Sequence, residues 1–221
     1  MPYKHCLTMP QEPAALFRAM EYAAKMDTLQ LGADRDTLLR EYGVCWMIAR
    51  AYLHMDAWPE PGTPITVSTC HRGVVRGVCY RDYEILVEGA PVGEAVQLWV
   101  TVDVNKRTIC RADRIPVLNQ GFGTGTRRPE RLQPPILEMA PSQMADRHDE
   151  NGHINNVDYV RMGLRALNLP LTAFHTVELE YHRECFAHTQ LPCMRSEEPG
   201  LSFVRLFTPQ GPVAFDMRLT V

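Results

Sequence analysis

The sequence predicts an α+β fold in which a long helix packed on an antiparallel sheet occurs twice. The same order of predicted elements, a strand, a long helix and then several extended runs, is found in residues 1–115 and again in residues 136–221. Residues 116–135 between them are rich in glycine, proline and arginine, as connecting segments are. We therefore predict an N-terminal domain over 1–115, a linker over 116–135 and a C-terminal domain over 136–221.

The first half is predicted to open with a short strand and a long helix. From Pro13 onward Leu16, Met20 and Ala23 recur at helical spacing, so they form one apolar stripe. A shorter helix follows over 34–42, with Asp34 or Asp36 as its cap. The strands predicted in this half cover 4–9, 44–55, 63–71, 77–87 and 94–109.

The second half repeats this order. A strand is predicted over 136–145, and Val157, Val160 and Leu164 then recur at helical spacing until Pro170 ends the helix. Extended runs follow over 174–185, 191–196, 201–207 and 213–219. A long helix held by such a sheet is the hot dog arrangement. The predicted fold is thus two tandem hot dog domains, each a long helix packed on a curved antiparallel sheet.

Composition narrows the class of protein. The 221 residues are 45% hydrophobic and 22% charged, as in ordinary globular proteins, and the net charge of −3 argues against nucleic acid as a partner. No apolar run of about 18 residues suggests membrane insertion, and the N-terminus has no secretory pattern, so we predict a cytoplasmic protein. The seven cysteines include no Cys-x-x-Cys pair, which indicates free thiols.

The richest polar cluster precedes the second long helix. Asp149, Asn151 and His153 alternate there, and Asn155 is a suitable N-cap for the helix that follows. A helix N-terminus carries unpaired N–H donors and partial positive charge, so it suits a developing anion. The alternative is ordinary turn and cap chemistry, since Asn151 and Gly152 form a turn dipeptide.

Two motifs resemble the acyl-acyl carrier protein (acyl-ACP) thioesterases of plants and bacteria, a double hot dog family. Residues 149–157, Asp-Glu-Asn-Gly-His-Ile-Asn-Asn-Val, are similar to its Asp-x-Asn-x-His-(Val/Ile/Met)-Asn-Asn signature. Residues 179–185, Leu-Glu-Tyr-His-Arg-Glu-Cys, resemble a Leu-Glu-Tyr-Arg-Arg-Glu-Cys run. Residues 46–50 and 99–107 resemble two strands of its first domain. The resemblance implies hydrolysis of fatty acyl-ACP to free fatty acid and holo carrier protein, with much of the acyl pocket in the first domain.

The resemblance also implies roles for individual residues. Glu184 would activate water, while His153 and Asn151 would position the carbonyl or the water and Asp149 would orient its neighbours. Backbone N–H groups near Asn155 and Asn156 would hold the oxyanion, and the same two residues would form the helix cap.

Cys185 is the alternative nucleophile. With His153 as base and Asn151 to orient it, Cys185 would form an acyl-enzyme. Strand alternation predicts that Glu184 and Cys185 point to opposite faces of the strand. Cys185 would then share its face with the apolar residues Val177 and Leu179. A packed thiol is the better interpretation, which favours Glu184.

Further alternatives concern metals, substrates and partners. His148, His153, Asp146 and Asp149 could be imagined around a metal, but their spacing does not require one, so we predict no metal and no cofactor. The predicted partner is an acyl carrier protein. Its acidic surface could meet the basic cluster of Arg127, Arg128 and Arg131, but a solvated linker is the better interpretation of that cluster. The alternative functions are acyl-CoA hydrolysis and a non-hydrolytic role as an acyl-binding or dehydratase-like protein. The sequence leaves open a monomer or a homodimer.

Overall fold

The computed structural model describes every residue except Asp146, Glu150 and Asn151. The described residues form two compact units. The first contains residues 1–12 and 16–129, and the second contains residues 13–15 and 130–221. The division falls inside the predicted linker, whose residues 116–129 pack with the first unit. Each unit combines helix with antiparallel sheet, which confirms the α+β prediction.

The first unit is an antiparallel sheet with a long helix against it. Its strands are β1 (Tyr3–Thr8), β2 (Val44–Met55), β3 (Pro64–Val75), β4 (Val78–Val87), β5 (Ala90–Asp103) and β6 (Thr108–Cys110). They pair in the order β1-β3-β4-β5-β2, and β6 pairs with the end of β5. Helix α1 (Leu16–Gln30) contacts β3 and β1, and the short helix α2 (Arg35–Tyr42) contacts β2.

The predicted strand over 94–109 is interrupted by a turn. The carboxylate of Asp103 accepts hydrogen bonds from the backbone N–H groups of Asn105 and Lys106, at 3.0 and 2.9 Å. Such a side-chain bond stabilises a turn in place of a strand ladder. The chain therefore leaves β5 at Asp103 and re-enters the sheet as β6.

Helix α1 buries the predicted stripe, since Leu16, Met20 and Ala23 are inaccessible to solvent. Beside these apolar side chains lies a buried ion pair, in which Arg81 on β4 donates to Asp27 on α1 at 2.6 Å. Burying two charges is costly unless they are paired. Removing either partner should therefore destabilise the first unit.

Residues 121–125, the glycine strap, lie flat against β3. The N–H groups of Phe122 and Gly123 donate to the carbonyl oxygen of His71 at 2.8 and 3.2 Å. A Cβ atom on Gly121 would overlap the carbonyl oxygen of Arg72. Glycine is needed here because the two backbones approach too closely for any side chain.

The second unit has the same architecture. Its strands are β7 (Glu138–Gln143), β8 (Thr176–Tyr181), β9 (Leu191–Glu198), β10 (Leu201–Phe207) and β11 (Val213–Thr220). They pair antiparallel in the order β8-β11-β10-β9-β7. Helix α3 (Asn156–Leu167) contacts β7, β9, β10 and β11. At Gly163 the helix lies so near the sheet that a Cβ atom would overlap the end of the Met217 side chain.

Local sequence sets both ends of α3. The side chain of Asn155 accepts from the N–H of Val157 at 3.0 Å, so Asn155 is the N-cap. At the other end Asn168 adopts φ of +54°, and its N–H bonds to carbonyl oxygens of the last turn. This left-handed residue ends the helix two positions before Pro170.

Strand β8 ends earlier than predicted. Both His182 and Arg183 direct their N–H groups at the carbonyl oxygen of Ala214, at 2.9 and 3.2 Å. Two residues thus face one, which breaks the ladder as a bulge does. Glu184 and Cys185 therefore lie in a loop, where strand alternation does not apply. They nevertheless differ in burial, since Cys185 is 4% exposed and the Glu184 side chain is 46% exposed.

Candidate active site

The segment that precedes α3 and the loop that follows β8 are joined by backbone hydrogen bonds. The N–H of Ile154 donates to the carbonyl oxygen of Cys185 at 2.8 Å. His153 and Phe186 form an antiparallel bridge beside this bond. The two motifs that are about thirty residues apart in the sequence consequently meet at one place in the second unit.

Asp149 closes a tight turn around His153. Its Oδ1 atom accepts from the backbone N–H of His153 at 2.9 Å, and its own N–H donates to the His153 carbonyl at 2.8 Å. Gly152 has φ of +80° within this turn, a conformation that favours glycine. Asp149 thus fixes the backbone from which the imidazole projects. Asn151, the remaining polar member of this motif, lies outside the described residues.

His153, in the segment before α3, and Glu184, in the loop after β8, lie close to each other. Their Nδ1 and Oε2 atoms are 3.8 Å apart, with 23% and 46% of the side chains exposed. This distance is too long for a direct hydrogen bond but allows one water molecule to bond to both groups. The pair therefore has the geometry for holding a reactive water.

Phe186 is a neighbour that the sequence did not single out. Its ring centroid lies 4.9 Å from that of His153, and the side chain is 61% exposed. Single exposed apolar side chains are common on protein surfaces, so it is the contact with His153 that places Phe186 at the site. The sequence feature that could have identified Phe186 is its position, directly after the motif that ends with Glu184 and Cys185.

The Cys185 thiol is buried, an environment that disfavours a reactive thiolate. Burial raises its pKa, and a hydrogen bond with Tyr159 only partly opposes this effect. Reactive cysteines instead have a lowered pKa, because the thiolate is the attacking species.

Asn155 and Asn156 stand where α3 begins. The Asn155 side chain serves as the N-cap, and the Asn156 carbonyl oxygen accepts from the Tyr181 hydroxyl at 3.3 Å. The helix starts three residues after His153. The positive end of its dipole is therefore close to His153 in the chain.

Among the described residues, one group of potential metal ligands comes together, namely Glu180, His182 and Asp216. Arg205 donates two hydrogen bonds to the Asp216 carboxylate, both at 2.7 Å, and His182 lies 3.0 Å from it. Burial tends to raise the pKa of Asp216, but the bonds from Arg205 and His182 outweigh it and hold the pKa below its ordinary value. The guanidinium thus already neutralises this carboxylate. The group is therefore better described as an ion-pair network. Asp146, from the metal alternative, lies outside the described residues.

Within the part of the chain that the structure describes, no helix combines the length and apolar character needed to cross a membrane.

Comparison with known proteins gives one family and a group of similar structures. The family model for the acyl-ACP thioesterase N-terminal domain matches residues 8–114. An acyl-ACP thioesterase from Bacteroides thetaiotaomicron is similar with a TM-score of 0.85 and 17% identity, over 98% of this chain and 96% of that one. The 12:0-ACP thioesterase from Umbellularia californica has a TM-score of 0.80 and 15% identity, over 99% and 96%. No curated protein sequence matches this one significantly.

At these identities the structural likeness establishes the fold, two tandem hot dog domains, as predicted. The family match lies in the first unit, whereas His153 and Glu184 lie in the second. The chain is therefore similar to the acyl-ACP thioesterase family, in sequence over residues 8–114 and in fold over almost its whole length.

Proposed function

We propose that this thioester hydrolase cleaves fatty acyl-ACP to free fatty acid and holo carrier protein with Glu184 as the general base. The observation that supports the proposal is the 3.8 Å approach of Glu184 Oε2 to His153 Nδ1. A general base must reach a water that can attack the carbonyl, and Glu184 has the exposure to do so. The similarity to the family supplies the reaction class. The contact between the segment before α3 and the loop after β8 brings His153 and Glu184 together.

The reaction divides between these two side chains. The Glu184 carboxylate accepts a proton as the water oxygen attacks the carbonyl carbon of the thioester. The C–S bond then breaks, and the proton passes to the thiolate sulfur, which leaves as the carrier's thiol. His153 donates a hydrogen bond to the carbonyl oxygen or orients the water. The positive end of α3 stabilises the charge that develops on that oxygen.

Asp149 acts on His153 through the backbone. Its bond to the His153 N–H supports a positioning role rather than contact with the substrate. Asn151 in the carbonyl or water site, and the backbone N–H groups near Asn155 and Asn156 as oxyanion donors, remain predictions based on the family resemblance.

The nucleophile is tested with two variants. Cys185→Ala should retain turnover, because the buried thiol takes no part in water attack, whereas His153→Ala should lose most of it. Mass spectrometry of the enzyme during turnover should detect no added acyl group. A covalent acyl-enzyme that disappears in Cys185→Ala would establish the rival mechanism.

The substrate is tested by product analysis with acyl-ACP and acyl-CoA over a series of chain lengths. Release of free fatty acid from acyl-ACP, at a higher kcat/KM than from acyl-CoA, supports the proposal. Equal cleavage of both would extend the substrate to acyl-CoA, and an enoyl product or binding without turnover would contradict hydrolysis.

A cytoplasmic location, a site without cofactor or metal, and a monomer or homodimer stay predictions. Light scattering of the purified protein would measure the last of these.

A further inference from the structure

We propose that Tyr159 is a positioning residue whose hydroxyl holds the backbone on both sides of Glu184. The inference rests on the proposed role of Glu184 as general base. Tyr159 lies in the first turns of α3, and Glu184 lies in the loop after β8. The residues on either side of Glu184, Arg183 and Cys185, both reach the same hydroxyl group.

In these two contacts the Tyr159 hydroxyl group acts once as a hydrogen-bond acceptor and once as a donor. The N–H of Cys185 donates to the Tyr159 oxygen at 2.9 Å. The Tyr159 O–H points to the carbonyl oxygen of Arg183, at the longer distance of 3.4 Å. A tyrosine hydroxyl can donate one hydrogen bond and accept others, so the contacts are compatible. One atom thus bridges the peptide groups that flank Glu184.

Other interactions do not fix this residue to the same extent. The ladder of β8 is broken where His182 and Arg183 share the Ala214 carbonyl, so Glu184 lies beyond the regular strand. Its side chain is 46% exposed, and packing therefore constrains it little. The Cys185 carbonyl accepts from Ile154, which ties the loop to the segment before α3. The bond from the Cys185 N–H to Tyr159 ties the same loop to α3.

Tyr159 itself is held rigidly. It is 3% exposed, and its ring centroid lies 5.3 Å from that of Phe215 and 6.0 Å from that of Tyr181. Burial, with a smaller contribution from Cys185, raises the pKa of its hydroxyl above the ordinary value. The hydroxyl therefore keeps its proton and remains a donor at neutral pH. A fixed ring with a neutral hydroxyl is suited to setting the position of a neighbouring base.

The test begins with Tyr159→Phe, which keeps the ring and removes the hydroxyl. We expect kcat on acyl-ACP to fall about ten- to a hundredfold, because a small displacement of a reacting group has effects of that order. KM should stay within about twofold, since Glu184 acts on the water and does not bind the acyl chain.

Tyr181→Phe is the matched control. It belongs to the same aromatic cluster and also loses a hydroxyl, which donates to the Asn156 carbonyl oxygen at 3.3 Å. We expect its kcat to remain within about threefold of the wild type. Equal losses of kcat in Tyr159→Phe and Tyr181→Phe would overturn the proposal.

A double-mutant cycle separates positioning from a general structural effect. In the Glu184→Gln background, Tyr159→Phe should cause little further loss, because it acts through a base that is already absent. An undiminished loss in that background, or no loss in the wild-type background, would overturn the role of Tyr159. Failure of the proposed function has a different signature, namely a Glu184→Gln enzyme as active as the wild type.

Discussion

Replacing Asp149 by alanine should lower kcat/KM for acyl-ACP by about 10- to 150-fold with little change in global stability. The Asp149 carboxylate holds the backbone N–H of His153 at 2.9 Å. A hydrogen bond to a charged group contributes about 1.5–3 kcal/mol, and about 1.4 kcal/mol corresponds to a tenfold change in rate. The turn is local and half-buried, so its loss should affect the imidazole position more than the free energy of unfolding.

Asp149→Asn separates geometry from charge. The amide oxygen can still accept from the His153 N–H, and a neutral bond retains about 0.5–1.5 kcal/mol, so the loss should be less than about tenfold. Asp113→Ala, which removes an exposed carboxylate paired with Arg111, serves as the control and should leave kcat/KM unchanged. Wild-type kcat/KM in Asp149→Ala would refute the positioning argument. An Asp149→Asn enzyme as impaired as Asp149→Ala would show that the negative charge itself is required.

Three further predictions concern stability and the site. Gly121→Ala should lower the free energy of unfolding by about 1–3 kcal/mol, because the added methyl group meets rigid backbone. The neighbouring Gln120→Ala should leave the free energy of unfolding unchanged, and coincident thermal melts of the two variants would contradict the prediction. The folded-state pKa of Asp216 lies below its ordinary value of 3.8, so its stabilisation is complete above about pH 4 and is lost as the pH falls through the folded pKa. Between about pH 2.5 and 6, the midpoint of urea unfolding should therefore change less with pH in Asp216→Asn than in the wild type. Equal changes of the midpoint with pH in the two proteins would exclude the effect. Phe186→Ala should reduce kcat/KM about two- to twelvefold without changing the melting temperature, because the ring packs on His153 and is otherwise exposed; unchanged kcat/KM would leave Phe186 without a role in the reaction.

Local features of the fold were predictable from the sequence. Strand β2 has the predicted bounds, Val44–Met55, and its second half alternates as predicted, with Ala51, Leu53 and Met55 buried. A bulge between Ile48 and Arg50 shifts the buried face in the first half. Helix α3 begins after Asn155 because the cap is a local side-chain bond. The apolar stripe of α1 is buried for the same reason, since helical periodicity is encoded by neighbouring residues.

Features that depend on distant residues were not predictable in this way. Strand β8 ends at Tyr181 because two N–H groups compete for the carbonyl of Ala214, a residue more than thirty positions away. The glycine strap was predicted to belong to a linker, but Gly121 is required by the close approach of the β3 backbone.

The candidate site shows the same division. The motif around His153 and the motif around Glu184 could each be recognised from residue types and order. Their approach, the exposed ring of Phe186 and the bonds of Tyr159 depend on how the second unit folds. Sequence therefore indicated the chemical groups, and tertiary structure was needed for the distances between them.

The most direct measurement of the central claim is the rate of fatty acid release from acyl-ACP by Glu184→Gln, compared with the wild type and with Glu198→Gln. Glu198 is an exposed carboxylate at the end of β9, so its replacement controls for loss of charge in the same unit. Loss of the general base should lower kcat of Glu184→Gln by about a hundredfold or more, while Glu198→Gln stays at the wild-type rate. Fatty acid release by Glu184→Gln at more than half the wild-type rate would contradict the assignment.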